Sequence, residues 1–155
     1  MQFKISQLLK KIRNSNIKLA FAESVTCGLI AHKLSTIKGT SDFFTGSVVC
    51  YDPAVKTGLL NVSPALIKKY SAESKQVTEA LARNLSKLMQ ADLYGAITGL
   101  STPDPHSKLP VGTVFLSVYD GQRILTKRFL FRGSPLVIRK KAVYAMLELI
   151  NTRIK

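Results

Sequence analysis

The sequence predicts a three-layer α/β/α sandwich on a mixed, mostly parallel sheet of about five strands, closed late by an antiparallel hairpin. Three observations predict it. Short apolar runs alternate with helix-period segments through the N-terminal part of the chain. Asp120–Gly121 separates two β-rich runs, 111–119 and 123–131, which is a strong hairpin signal. Residues 135–152 then set Val143, Met146, Leu147 and Ile150 on one face of a last helix.

The elements follow in order. Residues 2–14 carry Phe3, Ile5, Leu8, Leu9 and Ile12 at helical spacing, and 17–23, IKLAFAE, read as a short buried strand. Ser24 to Thr26 lead into a helix, LIAHKLSTI, that ends near Gly39. Residues 44–51, FTGSVVCY, form a second strand. Asp52–Pro53 starts a helical turn running through Lys56 to Leu60, because proline suits the first helical position. Ser63–Pro64 starts another short helix. Ser74 caps a longer one over 75–90, with Val77, Leu81, Leu85 and Leu88 on one face. Residues 93–100, LYGAITGL, are a third strand, and the stretch up to Pro110 is a loop rich in turn residues.

A chain of 155 residues, 46% of them hydrophobic, fits a single domain, 1–155, with a packed core. No apolar run approaches the roughly 20 residues of a membrane helix. The start, MQFKISQLLKKIRNSN, lacks the apolar stretch and cleavage site of a signal peptide. The expectation is a cytoplasmic protein with no membrane partner. Cys27 and Cys50 imply no disulfide framework. His32 and His106 stand apart from any zinc-type spacing, so no metal and no cofactor are expected.

The net charge of +14, from 23 basic and 9 acidic residues, favours acidic partners: nucleic acid, anionic lipid or a phosphorylated small molecule. The basic residues are spread along the chain without interleaved aromatics or a nucleic-acid motif. They read as a basic solvated surface, and nucleic acid is disfavoured as a partner.

Three segments could carry chemistry. AESVTCG, residues 22–28, lies where a buried strand hands over to a helix. Ser24 there faces the crevice at the strand ends, and the following amides could form an oxyanion hole; as an isolated segment it reads first as a helix start capped by Ser24 or Thr26. Tyr51-Asp-Pro-Ala-Val-Lys56 leaves the second strand. A partly buried lysine can lose its proton near neutral pH and serve as a base, as in serine–lysine variants of nucleophilic catalysis; alone it is also an exposed lysine on a turn. TGLSTPDPHSKLPVGTV, residues 98–114, begins with a glycine that suits close approach of a phosphate or ring to backbone; alone it is only a loop.

Together the three segments resemble the CinA C-terminal domain family, the nicotinamide-nucleotide amidases. That family carries an A-E-S-C-T-G-G-L turn, a G-x-V-x-x-Y-x-x-x-x-K segment and a T-G-x-A-G-P glycine-rich loop followed by P-V-G-T-V. This chain has AESVTCGL at 22–29, GSVVCYDPAVK at 46–56 and TGLSTPDPHSKLPVGTV at 98–114, in the same order across nearly the whole length. The resemblance implies hydrolysis of nicotinamide mononucleotide to nicotinate mononucleotide and ammonia, with a phosphorylated pyridine nucleotide as partner. It implies Ser24 as nucleophile, Lys56 as base and Tyr51 as a third catalytic residue. By position it implies substrate-binding roles for Thr26, Cys27, Gly28, Gly46, Thr98, Gly99 and Arg139. It leaves a homodimer open.

The chain also departs from the family pattern. Val25 stands for the usual cysteine and Cys27 for the first glycine of the pair. Thr102, Asp104 and Pro105 stand where the family has glycines, and Pro135 where an arginine often opens the last helix. Lost glycines restrict φ and add side chains near the ligand. The alternative expectation is therefore a catalytically weak or inactive binding protein with an altered substrate loop.

Overall fold

Strands without polar alternation must be covered on both faces, and this chain supplies helices for both. The computed structural model describes residues 4–154. Its elements are α1 (Ile5–Ser15), β1 (Leu19–Glu23), α2 (Leu29–Ser35), β2 (Phe44–Val49), α3 (Pro53–Gly58), α4 (Pro64–Tyr70), α5 (Lys75–Leu88), β3 (Leu93–Gly99), β4 (Thr113–Tyr119), β5 (Ile124–Leu130) and α6 (Pro135–Asn151). The strand order is β2-β1-β3-β4-β5. β1 pairs in parallel with β2 and β3, and β4 pairs antiparallel with β3 and β5. β4 thus runs against the other strands, and the pairings divide evenly between parallel and antiparallel.

β1 is buried at every position. Leu19 and Phe21 join the core shared with α1, α2 and α6, while Ala20 and Ala22 join the core under α5. β3 repeats the division, with Leu93 and Ile97 on the first side and Tyr94 and Ala96 on the second. A Cβ on Gly95 would come within 2.6 Å of the Phe21 ring, so the glycine makes room for it. Each fully buried Leu, Ile or Phe contributes about 1.5–3 kcal/mol of transfer free energy, and both layers hold several.

The helices follow their caps. The side chains of Ser63, Ser74 and Ser134 accept the N–H of Leu66, Val77 and Val137. Val143, Met146, Leu147 and Ile150 of α6 are all buried, as their spacing predicts. In α1, Leu8 and Ile12 are buried; Phe3, expected in the same helix, lies outside the described residues. On α5 the expectation holds for Val77, Leu81 and Leu85 but not for Leu88, which is 47% exposed. Leu88 is on the apolar face but is the last residue of the helix, beyond the turn that packs against the sheet. The hairpin tip comprises Gly121 and Gln122, the glycine at φ 90°, and the Asp120 N–H donates to the Arg123 carbonyl. Among the described residues no helix is long and apolar enough to cross a membrane.

The topology also opens a crevice. The β1–β2 connection runs through α2 on one face of the sheet, and the β2–β3 connection runs through α3 to α5 on the other. Chains that leave neighbouring strands toward opposite faces leave a gap at the carboxyl ends. Ser24 sits at that gap, directly after β1.

Candidate active site

The turn after β1 is built around one buried carboxylate. Glu23, the last residue of β1, is fully buried. Its Oε2 accepts from the Thr26 hydroxyl at 2.8 Å and from the Gly28 and Ile30 N–H at 3.0 Å each; its Oε1 accepts from the Ala31 N–H at 3.0 Å. These amides belong to the entry and first turn of α2, where N–H groups lack helical partners and carry partial positive charge. Glu23 therefore caps α2 and fixes the 24–28 turn. Reading Ser24 or Thr26 as the cap missed it, although Glu23 is the one charged residue within a buried strand, next to a helix N-terminus.

The consequence is a turn that holds Ser24 at the crevice and leaves two amides without a protein partner among the described residues. The Ser24 N–H continues the sheet by donating to the Ile97 carbonyl, while its own carbonyl accepts from Cys27. Cys27 takes a left-handed φ of 49° and Gly28 one of 90°, which closes the turn. With the Gly28, Ile30 and Ala31 N–H groups bound to Glu23, the Val25 and Thr26 N–H groups are left without a protein acceptor among the described residues.

Lys56 arrives from the β2 side. Asp52 caps α3 by accepting the Ala54 N–H at 2.7 Å, and Pro53 takes the first helical position. The turn aims Lys56 inward, where it is 0% exposed. Its Nζ lies 2.8 Å from the Cys50 carbonyl, 3.1 Å from the Tyr51 carbonyl and 3.0 Å from Ser24 Oγ. Burial pushes the Lys56 amine below its ordinary pKa, against the opposing influence of nearby Cys50, Glu73 and Asp52. Burial likewise pushes the Cys50 thiol up to about 11. A neutral amine has two N–H donors and one lone pair. As an ammonium Lys56 donates to all three oxygens; once deprotonated, it would keep two donors for the carbonyls and turn a lone pair to the Ser24 hydroxyl.

A cleft of about 280 Å³ opens over this pair, with Ser24, Val25, Tyr51, Gly99, Ser101 and Asp104 in its walls. Glu73 also lines it; burial raises its carboxyl pKa, Asp104 adds to the rise and Lys56 opposes it. Sequence reasoning gave no role to Glu73, which sits in the short link before α5 and reaches the site only through the fold.

The structure brings together some of the expected residues and separates others. Ser24, Lys56 and Tyr51 meet. Tyr51, however, contacts Lys56 through its carbonyl, and its side chain is 56% exposed at the cleft wall. Thr26 is buried, with its hydroxyl on Glu23. Thr26, Cys27, Gly28 and Arg139 line a separate recess on the α6 side of the turn. Arg139 Nε donates to Ser101 Oγ at 3.3 Å, which links that recess to the cleft loop. Gly99 lines the cleft, and a Cβ there would sit 2.5 Å from the Thr113 carbonyl oxygen, so β4 requires the glycine. Thr98 faces away: it is buried and donates to Thr78 Oγ1 at 2.8 Å, Thr78 itself donating to the Ser74 carbonyl. Gly46 pairs with Ala20 within β2 and lies outside the cleft.

Fold and site define a mixed-sheet α/β/α domain carrying a buried lysine–serine pair at a strand-end crevice. The CinA C-terminal domain model matches residues 2–154, and the chain belongs to that family. A CinA-like protein of Thermosipho melanesiensis is 35% identical over 147 residues, covering 93% of this chain and 36% of its own length. A CinA-like protein of Thermotoga neapolitana is 33% identical over 154 residues, covering 98% and 38%. The chain thus spans little more than a third of the length of these curated relatives. A solved competence-damaged protein (CinA) superfamily protein of Enterobacter cloacae superposes with a TM-score of 0.91 at 28% identity, covering 97% of this chain and 89% of that one.

Proposed function

We propose that this domain is an amidohydrolase using a serine acyl-enzyme, of the nicotinamide-nucleotide amidase type. The observation that carries the reading is the Lys56 amine: fully buried, held below its ordinary pKa, and 3.0 Å from Ser24 Oγ. In the proposed reaction the neutral Lys56 takes the Ser24 proton as Oγ attacks the carboxamide carbon. The Val25 and Thr26 N–H groups, which follow Ser24 in the turn and have no protein acceptor among the described residues, are the donors available to the developing oxyanion. The Lys56 ammonium returns its proton to the leaving nitrogen, and ammonia departs. Lys56 then takes a proton from water as it attacks the acyl carbon, and returns that proton to Ser24 Oγ as the acyl bond breaks, releasing the carboxylic acid, which ionises, and restoring Ser24 and neutral Lys56. The Tyr51 ring serves as a wall of the cleft in this scheme, and the Arg139–Ser101 contact positions the loop beside it.

A second reading is a binding protein with little or no turnover. It rests on Asp104 and Thr102, which line the cleft where the family pattern has glycines. Ammonia release, screened over pyridine nucleotides and simple amides, separates the two. The amidase reading expects release from nicotinamide mononucleotide by the wild type and none by Ser24→Ala. Binding without release, in the wild type and in a glycine-restored loop variant alike, favours the second reading.

A further inference from the structure

A second cavity adjoins the Ser24 cleft. It is an open groove of about 650 Å³ formed by the end of α4, the entry to α5 and the 106–109 loop. Its charged lining is Lys68, Lys69, Lys75 and Lys108 against the single carboxylate Glu73, with His106 beside them. Glu73 also lines the Ser24 cleft, so the two spaces share a wall. Among the described residues Lys68, Lys69 and Lys108 have no carboxylate partner, and Lys75 has only a long ion pair with Glu79 at 3.9 Å. The groove also takes in the first turn of the 14-residue α5, where amide N–H groups favour anions.

The charge changes sign across Glu73. The lining of the Ser24 cleft has the acidic side chains Glu73 and Asp104 and no basic one, so it offers no cationic partner to a phosphate. The groove has the opposite character, and concave basic surfaces concentrate anions. Its volume is more than twice that of the cleft. A single phosphate would fill little of it, and a diphosphate presents more oxygens to its lysines, each of which binds phosphate as a point charge. We infer that the groove binds a diphosphate, so that the preferred substrate is a pyridinium carboxamide carrying two linked phosphates rather than one. The substrate part of this inference rests on the amidase reading; the anion site does not.

The test has a binding arm and a kinetic arm. Inorganic pyrophosphate and inorganic phosphate are titrated calorimetrically into the full chain and into Lys68→Glu/Lys108→Glu, with melting curves to establish that the variant is folded. Pyrophosphate is expected to bind more tightly than phosphate, and the double variant to weaken it about tenfold or more. In the kinetic arm, the ratio of kcat/KM for nicotinamide adenine dinucleotide over nicotinamide mononucleotide should fall in the variant by a similar factor. Pyrophosphate binding no tighter than phosphate, or unmoved by the double substitution, overturns the inference. A single-stranded oligonucleotide bound at these lysines and not displaced by pyrophosphate also overturns it. Pyrophosphate binding that is lost in the variant, with no ammonia from either substrate, supports the groove and sinks only the amidase reading.

Discussion

Removing Glu23 should loosen the nucleophile turn before it unfolds the domain. Glu23→Ala deletes a buried carboxylate that accepts four hydrogen bonds, one from the Thr26 hydroxyl and three from the Gly28, Ile30 and Ala31 N–H groups. Hydrogen bonds to a charged group contribute about 1.5–3 kcal/mol each when measured singly. They are not additive, and water can reach the partly buried Gly28 and Ala31. Loss of the set should cost about 3–5 kcal/mol, the range seen when one side of a buried charged network is removed. Glu23→Gln is the finer probe. Its amide oxygen can occupy the Oε2 position and keep the Thr26, Gly28 and Ile30 contacts, but its NH2 then meets the Ala31 N–H donor to donor. The expected cost is about 1–2 kcal/mol. Urea unfolding at pH 7 measures both through the midpoint, provided the slope is unchanged. A change below about 0.5 kcal/mol in Glu23→Ala would refute the argument, because that is the range of an ordinary surface substitution.

Further expectations follow from other residues. Because burial depresses the folded pKa of Lys56, the folded state binds fewer protons than the unfolded state between that lowered value and about 10.4; wild-type stability should therefore rise with pH relative to Lys56→Met across that window, by up to about 1.4 kcal/mol per pH unit. Parallel unfolding curves from pH 7 to 10 check this, and a pH-independent difference contradicts it. Gly99→Ala should destabilise by about 1–3 kcal/mol, since its Cβ would stand 2.5 Å from the Thr113 carbonyl oxygen and 2.9 Å from Val114 Cα; a thermal melt equal to wild type would show that β4 can yield. Replacing Thr102, Asp104 and Pro105 with glycine should lower KM for nicotinamide mononucleotide more than it raises kcat, and steady-state ammonia release decides it.

The fold was legible wherever periodicity met a cap or a turn. Ser63 and Ser74 mark helix starts, and the Asp120–Gly121 step marks the hairpin, because these residues act locally. Leu88 was misplaced for the complementary reason: spacing reports a helix face, not where the neighbouring layer ends. The site was legible as three motifs, but the direction of each side chain was not. β3 is buried on both faces, so no polar alternation tells which way Thr98 points, and it turns out to lock α5 to the sheet through Thr78. Tyr51 shows the same limit, since its carbonyl rather than its hydroxyl meets Lys56. Glu23 had a readable signal in a lone charge closing an apolar strand. Glu73 had none, because its meeting with Lys56 and Asp104 depends on loops that come together only in three dimensions.

The central claim is that a deprotonated Lys56 activates Ser24. The pH dependence of kcat/KM for ammonia release from nicotinamide mononucleotide tests it most directly, measured on wild type, Ser24→Ala and Lys56→Met. The account predicts that wild-type activity rises with pH through a group titrating below the ordinary lysine value, and that both variants, though folded, release no ammonia. Ammonia release that persists in Ser24→Ala, or a wild-type profile that rises only at the pKa of an ordinary exposed lysine, would contradict it.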